Sequence, residues 1–174
     1  RASARETLGR VIGGAVAKQL LANWGIIIRG GLIQLGDIRA NNYDWSQSEK
    51  NELRCVDPNT VNSMINLLEN VRKDRDSIGA IVEVQALGVP IGLGEPVFEK
   101  LDAQIAAALM SIPAVKGVEI GEGFKAATLR GSEMNDLMAA DGFKTNHHGG
   151  ILGGISSGAP IVARIALKPT SSLP

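Results

Sequence analysis

Three short segments of this sequence combine residue types that bind phosphate groups. The segment Gly149–Gly158 is rich in glycine with two serines interleaved, and such a segment can present several backbone N–H groups to one anion. Lys168–Ser172 places one ammonium group and three hydroxyls within five residues. Arg1, Ser3 and Arg5 lie at the start of a predicted helix, where the free N–H groups of the first turn attract anions. The sequence therefore indicates phosphate binding, although each segment alone is more typical of ordinary structure: a tight hairpin, a solvated chain end and a capped helix.

The other reactive residue types do not form a recognisable catalytic motif. The glycine-rich segment is followed neither by Gly-Lys-Ser/Thr nor by a predicted helix, which excludes the P-loop and the dinucleotide-binding fingerprint. His147 and His148 are adjacent, so their side chains point apart, and no third ligand lies at helical spacing. We expect a role other than metal binding for them. Cys55 lacks a reactive-cysteine signature, and we expect it at the surface or half buried.

The composition narrows the class of protein. The chain has 174 residues, of which 44% are hydrophobic, and its 18 basic residues balance its 18 acidic ones. These values are typical of one folded domain and argue against a nucleic-acid partner. The single cysteine excludes an internal disulfide and a Cys-rich zinc site. No run reaches the ~18 apolar residues of a membrane span, and the start of the sequence lacks the apolar segment of a signal peptide. Because the first residue is not Met, we expect an internal portion of a longer polypeptide.

Hydrophobic periodicity and capping residues predict three helices. Ser3 and Glu6 have the spacing of a capping box, and the helix that they begin is predicted to end at Gly25. A second helix is predicted to open at Asp57-Pro58 and a third at Glu95-Pro96, each with Pro at the first helical position. We expect the first helix to bury one apolar face, formed by Leu8, Val11, Ile12, Ala15, Val16 and Leu20.

Four β-strands are predicted, over residues 26–35, 78–89, 115–120 and 160–167, and Gly30-Gly31 is expected to break the first. Residues 37–56 are polar and aperiodic, and we interpret them as a surface loop. Residues 125–148 are interpreted as a loop with a fragment of helix. This order of elements predicts an α/β or α+β fold in which helices cover a sheet, in a single domain over residues 1–174.

Five segments, taken together, resemble the chorismate synthase family. They are RASARET at 1–7, GVPIGLGEPVF at 88–98, AALMSIPAVKGVEIG at 107–121, TNHHGGILGGISSG at 145–158 and LKPTSS at 167–172. They occur in the family's order over essentially the whole chain. An unrelated phosphate-binding α/β domain would match them only by coincidence.

The resemblance implies a carbon–oxygen lyase that converts 5-enolpyruvylshikimate 3-phosphate to chorismate and phosphate by 1,4-anti elimination. This is the shikimate-pathway step that precedes the aromatic amino acids. The family requires reduced FMN although the reaction has no net redox change, and it is also associated with NADP. The resemblance further implies an α+β fold, a β-α-β sandwich with helices packed between antiparallel sheets, of which this chain forms a part. A cytoplasmic homotetramer without a membrane or nucleic-acid partner is expected.

Matching the family's motifs residue by residue suggests where the ligands bind. Arg5 resembles an arginine that contacts an anionic group of the substrate. Four segments resemble stretches that contact the flavin, and their residues are Arg1, Ala2 and Ser3, then Pro113 and Ala114, then Gly153, and finally Lys168, Pro169, Thr170, Ser171 and Ser172.

The resemblance supplies no catalytic residue within these 174 positions. The family's two acid/base histidines belong to the segments Gly-Glu-Ser-His-Gly and Arg-Pro-Gly-His-Ala-Asp, which are absent here, and His147 and His148 are not replacements. The family's C-terminal part, with further site residues, would follow Pro174. We therefore expect little or no turnover by this chain alone. The alternative is a non-catalytic scaffold or assembly module of the same fold that retains FMN or phosphate binding.

Overall fold

The structure is a computed structural model that describes residues 3–140 and 142–170, with side chains from Arg5 onward. Four α-helices and nine β-strands occur in these ranges, together with two 3-10 turns at Trp45–Gln47 and Gly123–Thr128. The helices are α1 Ser3–Ala22, α2 Val61–Lys73, α3 Leu101–Met110 and α4 Gly131–Met134. The strands are β1 Ile27–Leu35, β2 Ile38–Arg39, β3 Ala80–Leu87, β4 Val115–Ile120, β5 Met138–Ala139, β6 Gly142–Phe143, β7 Ile151–Leu152, β8 Ile155–Ser156 and β9 Ile161–Leu167.

The strands form one main sheet and two small hairpins. The main sheet has the order β2-β1-β3-β9-β4, so that the last strand of the chain lies between β3 and β4. β1 and β2 are antiparallel, as are the two hairpin pairs β5-β6 and β7-β8. The predicted α+β class is confirmed, and the four predicted strands correspond to β1, β3, β4 and β9.

The described chain packs as two compact units, each with its own apolar core. Unit 1 comprises the described residues within 1–28, 85–113 and 118–163, and unit 2 comprises those within 29–84, 114–117 and 164–174. The core of unit 1 contains Ile26, Val89, Ile151 and Ile161. Unit 2 has two buried clusters, one of Leu32, Leu35, Cys55 and Met64 and one of Ile33, Ala40 and Val56. A single domain over residues 1–174 stays a prediction.

The first helix forms as predicted, but its apolar face is not buried. α1 ends at Ala22, and the turn that follows contains Gly25, whose φ of 73° favours glycine. The amides of Gly25 and Ile26 donate to the carbonyls of Ala22 and Leu21, the paired bonds of a Schellman motif. The expectation of a buried face is wrong within the described residues, because the side chains of Leu8, Val11, Ile12, Ala15, Val16 and Leu20 are all exposed. Hydrophobic periodicity identifies the apolar side of a helix, but it does not show whether another part of the chain packs against that side.

The second helix begins later than the sequence indicates. α2 starts at Val61 after Thr60, and Asp57 is not its N-cap. The Asp57 side chain is instead buried, where its carboxylate accepts hydrogen bonds from the backbone amides of Asn41, Asn42 and Asn59. Burial by itself raises the pKa of this carboxyl, but these hydrogen bonds outweigh it and hold the pKa below its usual value.

The segment 37–56 is a surface loop only in part. Cys55 and Val56 are fully buried, so the expectation that Cys55 lies at the surface or half buried is wrong. The amide of Leu32 donates to the carbonyl of Arg54, and the amide of Val56 donates to the carbonyl of Leu32. This pairing holds the loop against β1, and β1 runs through Gly30-Gly31 without the expected break.

The third helix begins at Leu101, and Pro96 is not its first residue as predicted. Glu95 and Glu99 exchange backbone hydrogen bonds of 2.8 and 2.9 Å, which close a tight loop before the helix. The Leu101 amide then donates to the Gly154 carbonyl at 2.8 Å. Contact with the β7-β8 hairpin, which lies far along the chain, therefore decides where α3 starts.

Candidate functional site

Two of the predicted flavin-contacting segments meet at the end of β9. The amide of Lys168 donates to the carbonyl of Ala114 at 2.9 Å. Ala114 follows Pro113 in the connection from α3 to β4, and its φ is 71°. A left-handed conformation is unfavourable for a residue with a Cβ, and such strain concentrates at functional sites because the surrounding structure must maintain it.

Ser77 and Gly79, which the sequence analysis did not single out, hold the Lys168–Thr170 segment in unit 2. The Ser77 hydroxyl donates to the Thr170 carbonyl at 2.7 Å. A Cβ on Gly79 would lie 2.9 Å from the Leu167 carbonyl oxygen, so only glycine lets the chain pass this closely. The only local signal of this contact is the glycine directly before β3.

The polar side chains at this segment face solvent. Lys168, Pro169 and Thr170 are exposed, and the Lys168 Nζ group makes a 3.3 Å contact with the adjacent Pro169 carbonyl. A cation and a hydroxyl are thus available to a ligand next to Ala114. Ser171 and Ser172 lie outside the described residues.

The glycine-rich segment of unit 1 folds as the hairpin that its local sequence favours. Leu152 pairs with Ile155 across a two-residue turn in which Gly153 and Gly154 both have positive φ, 59° and 83°. This is the geometry of the tight turns that match the twist of two strands. A Cβ on Gly153 would meet nothing within 4 Å, so the turn is open to an approaching group at this residue.

The serines of this hairpin are less available than the sequence indicated. Ser156 is buried, and its hydroxyl donates to the Pro90 carbonyl at 2.6 Å while accepting from the Leu93 amide at 2.9 Å. The Ser157 amide donates to the Gly150 carbonyl. Ser156 therefore fastens the loop before α3 to β8, and its hydroxyl is not free to bind a phosphate.

A groove of about 940 Å³ runs beside the same hairpin in unit 1. Apolar side chains from the hairpins β5-β6 and β7-β8 and from the loop before α3 line it, and Lys144, Thr145 and Asn146 are among its polar lining residues. The large apolar lining residues are Ile91, Met138, Phe143, Leu152 and Ile155.

The start of α1 provides the remaining predicted contacts. Arg5 is exposed, while Arg1 and Ala2 lie outside the described residues, as does the side chain of Ser3. Arg10, one and a half turns after Arg5, pairs with Glu6 on the same helix. Its guanidinium also donates to the hydroxyl of Ser111 at 2.8 Å. α1 is therefore joined to the end of α3, two residues before Pro113.

Asp136, which the sequence did not indicate, holds residues 145–148 just before the glycine-rich segment. Its carboxylate accepts from the Thr145 hydroxyl and the His147 amide, both at 2.7 Å, and from the amide and Nδ1 of His148 at 3.0 and 2.9 Å. Burial by itself raises the pKa of Asp136, but these hydrogen bonds outweigh it and keep the pKa far below the usual range.

The two histidines are each paired with a carboxylate. His147 Nδ1 lies 3.3 Å from Glu122, whose pKa is lowered chiefly by its hydrogen bond with Lys125 and further by His147. His148 pairs with Asp136. Over residues 3–140 and 142–170, no group of three or more His, Cys, Asp or Glu side chains is arranged to hold a metal ion. Both histidines thus anchor the segment that precedes the hairpin.

Comparison with known proteins decides the family. The family model described as chorismate synthase matches residues 1–174. A solved structure titled "Crystal Structure of Chorismate Synthase" is 38% identical and superimposes with a TM-score of 0.92, covering 98% of this chain. This chain belongs to the chorismate synthase family.

The match also defines how much of a chorismate synthase the chain represents. The chain spans 57% of the length of that solved chorismate synthase. The resemblance seen in the five sequence motifs is confirmed, and so is the chorismate-synthase-like α+β fold. Among the described residues, no helix is both long and apolar enough to cross a membrane.

Proposed function

We propose that this chain forms the central part of an FMN-dependent chorismate synthase, which eliminates phosphate from 5-enolpyruvylshikimate 3-phosphate to give chorismate. The observation that carries the proposal is the hydrogen bond between Lys168 and Ala114. It joins two segments that resemble flavin-contacting stretches, and one of them has a left-handed non-glycine residue at the junction. Family membership over residues 1–174 supports the same function.

The residues at this junction suit the chemistry of FMN. The cofactor carries a phosphate and a ring with several hydrogen-bond acceptors, so its site needs a cation, hydroxyls and backbone amides. Lys168 and Thr170 offer the first two as exposed groups. In this proposal FMN is held by Arg1, Ala2, Ser3, Pro113, Ala114, Gly153 and Lys168 to Ser172. When bound, reduced FMN supplies transient electron density to the carbon that loses phosphate.

In this proposal the chain's own residues bind and orient the substrate and the cofactor. Arg5 is exposed on α1, and its guanidinium pairs with an anionic group of the substrate. No described residue is assigned to proton transfer, because His147 and His148 are held by Glu122 and Asp136. Loss of general acid–base catalysis lowers rates by about 10²–10⁴-fold, so the chain alone turns over little or no substrate.

The first test is an anaerobic FMN fluorescence titration, with and without 5-enolpyruvylshikimate 3-phosphate. We expect saturable quenching that the substrate tightens. Lys168→Gln removes the exposed cation and is expected to raise the FMN dissociation constant roughly 10-fold, the value of one charge-assisted hydrogen bond. Lys73→Gln changes an exposed lysine at the end of α2 and serves as the matched control. Equal effects of the two variants, or no quenching in a folded sample, would count against the proposal.

The second candidate function is a non-catalytic scaffold or assembly module of the same fold. The exposed apolar face of α1 favours it, because such a face buries itself against another surface. Absence of FMN binding together with a folded chain would favour the scaffold. Cytoplasmic location, a homotetramer and the association with NADP belong to the proposal for the whole enzyme.

A further inference from the structure

Arg10 joins α1, which begins with predicted ligand-contacting residues, to the residue that lies two positions before Pro113. Its Nη1 donates to the Ser111 hydroxyl at 2.8 Å, and its Nη2 donates to the Ser111 carbonyl at 3.2 Å. On the other side its Nε pairs with Glu6, one helical turn earlier. Five residues before Arg10 is Arg5, and two residues after Ser111 is Pro113. One guanidinium thus joins α1 to Ser111, two residues before Pro113 in the same unit.

Ser111 offers two hydrogen-bond acceptors at the end of α3 to an arginine from another helix. Ser111 is the C-cap of α3, and the last turn of α3 contains no basic residue. The final carbonyls of a helix lack partners within it and carry partial negative charge. The Ser111 hydroxyl donates to the Ala108 carbonyl at 2.6 Å, which orients its oxygen toward Arg10. The guanidinium therefore satisfies two acceptors at once with a fixed orientation.

This contact is too exposed to contribute much to stability. The side chains of Arg10 and Glu6 are each 40% exposed, and exposed ion pairs add little to the free energy of unfolding. A bidentate guanidinium nevertheless restricts the relative position of the two segments that it joins.

We propose that Arg10 is a positioning residue for the cofactor site, one that holds the end of α3, and with it Pro113, against α1 without touching the ligand. This inference rests on the proposed function, since FMN contact is what makes Pro113 part of a site. Removing the guanidinium loosens the segment and weakens FMN binding, while the fold persists.

The test compares FMN affinity with stability in the 174-residue chain. Arg10→Ala is expected to raise the FMN dissociation constant about 2–10-fold, with an unchanged urea midpoint. Ser111→Ala leaves the carbonyl contact and should have a smaller effect, whereas Ser111→Thr keeps the hydroxyl and should restore wild-type affinity. Because Arg10 and Ser111 act as one unit, the double alanine variant should bind no more weakly than Arg10→Ala. Lys18→Ala, also exposed on α1, is the control.

The outcomes separate this inference from the proposed function. If the wild-type chain binds FMN and Arg10→Ala binds equally well, the inference is overturned while the proposed function stands. If the wild-type chain does not bind FMN, the proposed function fails for this chain, and amide hydrogen exchange over residues 111–116 decides the positioning role. Faster exchange in Arg10→Ala than in Lys18→Ala supports it, and equal exchange overturns it.

Discussion

α1 and α2 each carry a row of apolar side chains at helical spacing, yet of the two only α2 buries part of that row. Met64, at the centre of α2, is fully buried and packs with Leu32, Leu35 and Cys55 of unit 2. On α1, by contrast, Ile12 is 59% exposed, and only Leu21 in the last turn packs against the core of unit 1. The difference shows that hydrophobic periodicity reports which side of a helix needs a partner, whereas the tertiary structure decides whether that partner lies within the described chain.

The largest effect expected from this comparison is at Met64. Met64→Ala removes a fully buried side chain and should lower the free energy of unfolding by about 2–5 kcal/mol, because it loses apolar burial and leaves a cavity. Ile12→Ala is the matched change on α1 and should cost less than about 0.5 kcal/mol, as for other exposed positions. Urea denaturation of both variants measures the contrast. A similar loss at Ile12 would show that the face of α1 is covered in solution.

An intermediate effect is expected at Asp57, which holds the chain just before α2. Its pKa is lowered in the folded state, so its contribution to stability is present above its unfolded pKa of about 4 and is lost as the pH falls through the folded value. Asp57→Asn should cost about 1–3 kcal/mol at pH 7, because buried amide donors lose a charged acceptor.

The same variant should flatten the decline of stability below pH 5. Asp74→Asn, an exposed carboxylate at the end of α2, controls for net charge. Parallel pH profiles of Asp57→Asn and the wild type would contradict the assignment.

The smallest effect concerns the turn that follows α1, next to Leu21, which packs against the core of unit 1. Gly25→Ala places a Cβ on a residue with φ of 73°, which should cost about 1–2 kcal/mol. Gly14→Ala, in the exposed middle of the same helix, should stabilise by up to about 1 kcal/mol, since nothing lies within 4 Å of the added Cβ. Thermal unfolding distinguishes the two signs. Destabilisation by both would mean that the middle of α1 is also packed.

In the candidate site, too, one part can be predicted from neighbouring residues and another part cannot. The hairpin at Gly153 follows from neighbouring residues, because two glycines between two short apolar runs specify a tight turn. The junction of Ala114 with Lys168 does not, because its partners are far apart in sequence and the Ala114 conformation is unusual for its residue type. Only the family motifs indicated that both segments belong to one kind of site.

The starts of α2 and α3 were predicted wrongly because contacts with distant residues decide them. Asp57-Pro58 and Glu95-Pro96 both match the pattern of a helix start, yet both helices begin later. Asp57 is taken up by amides of the loop after β2, and Leu101 is held by the Gly154 carbonyl. A capping motif shows only that a residue is able to cap a helix. A buried hydrogen bond to a distant part of the chain takes precedence, because leaving a buried polar group without a partner costs more free energy than losing a cap.

The sequence by itself determined the family, the α+β class, the four main strands and the glycine turn at Gly25 that follows α1. These depend on spacing, on turn residues and on long motifs, all of which are local properties of the chain. The tertiary structure alone decided the burial of Cys55, the starts of α2 and α3, the exposure of the α1 face and the contacts of Arg10 and Asp136. These features depend on contacts between residues that are far apart in sequence, and such contacts form only when the chain has folded.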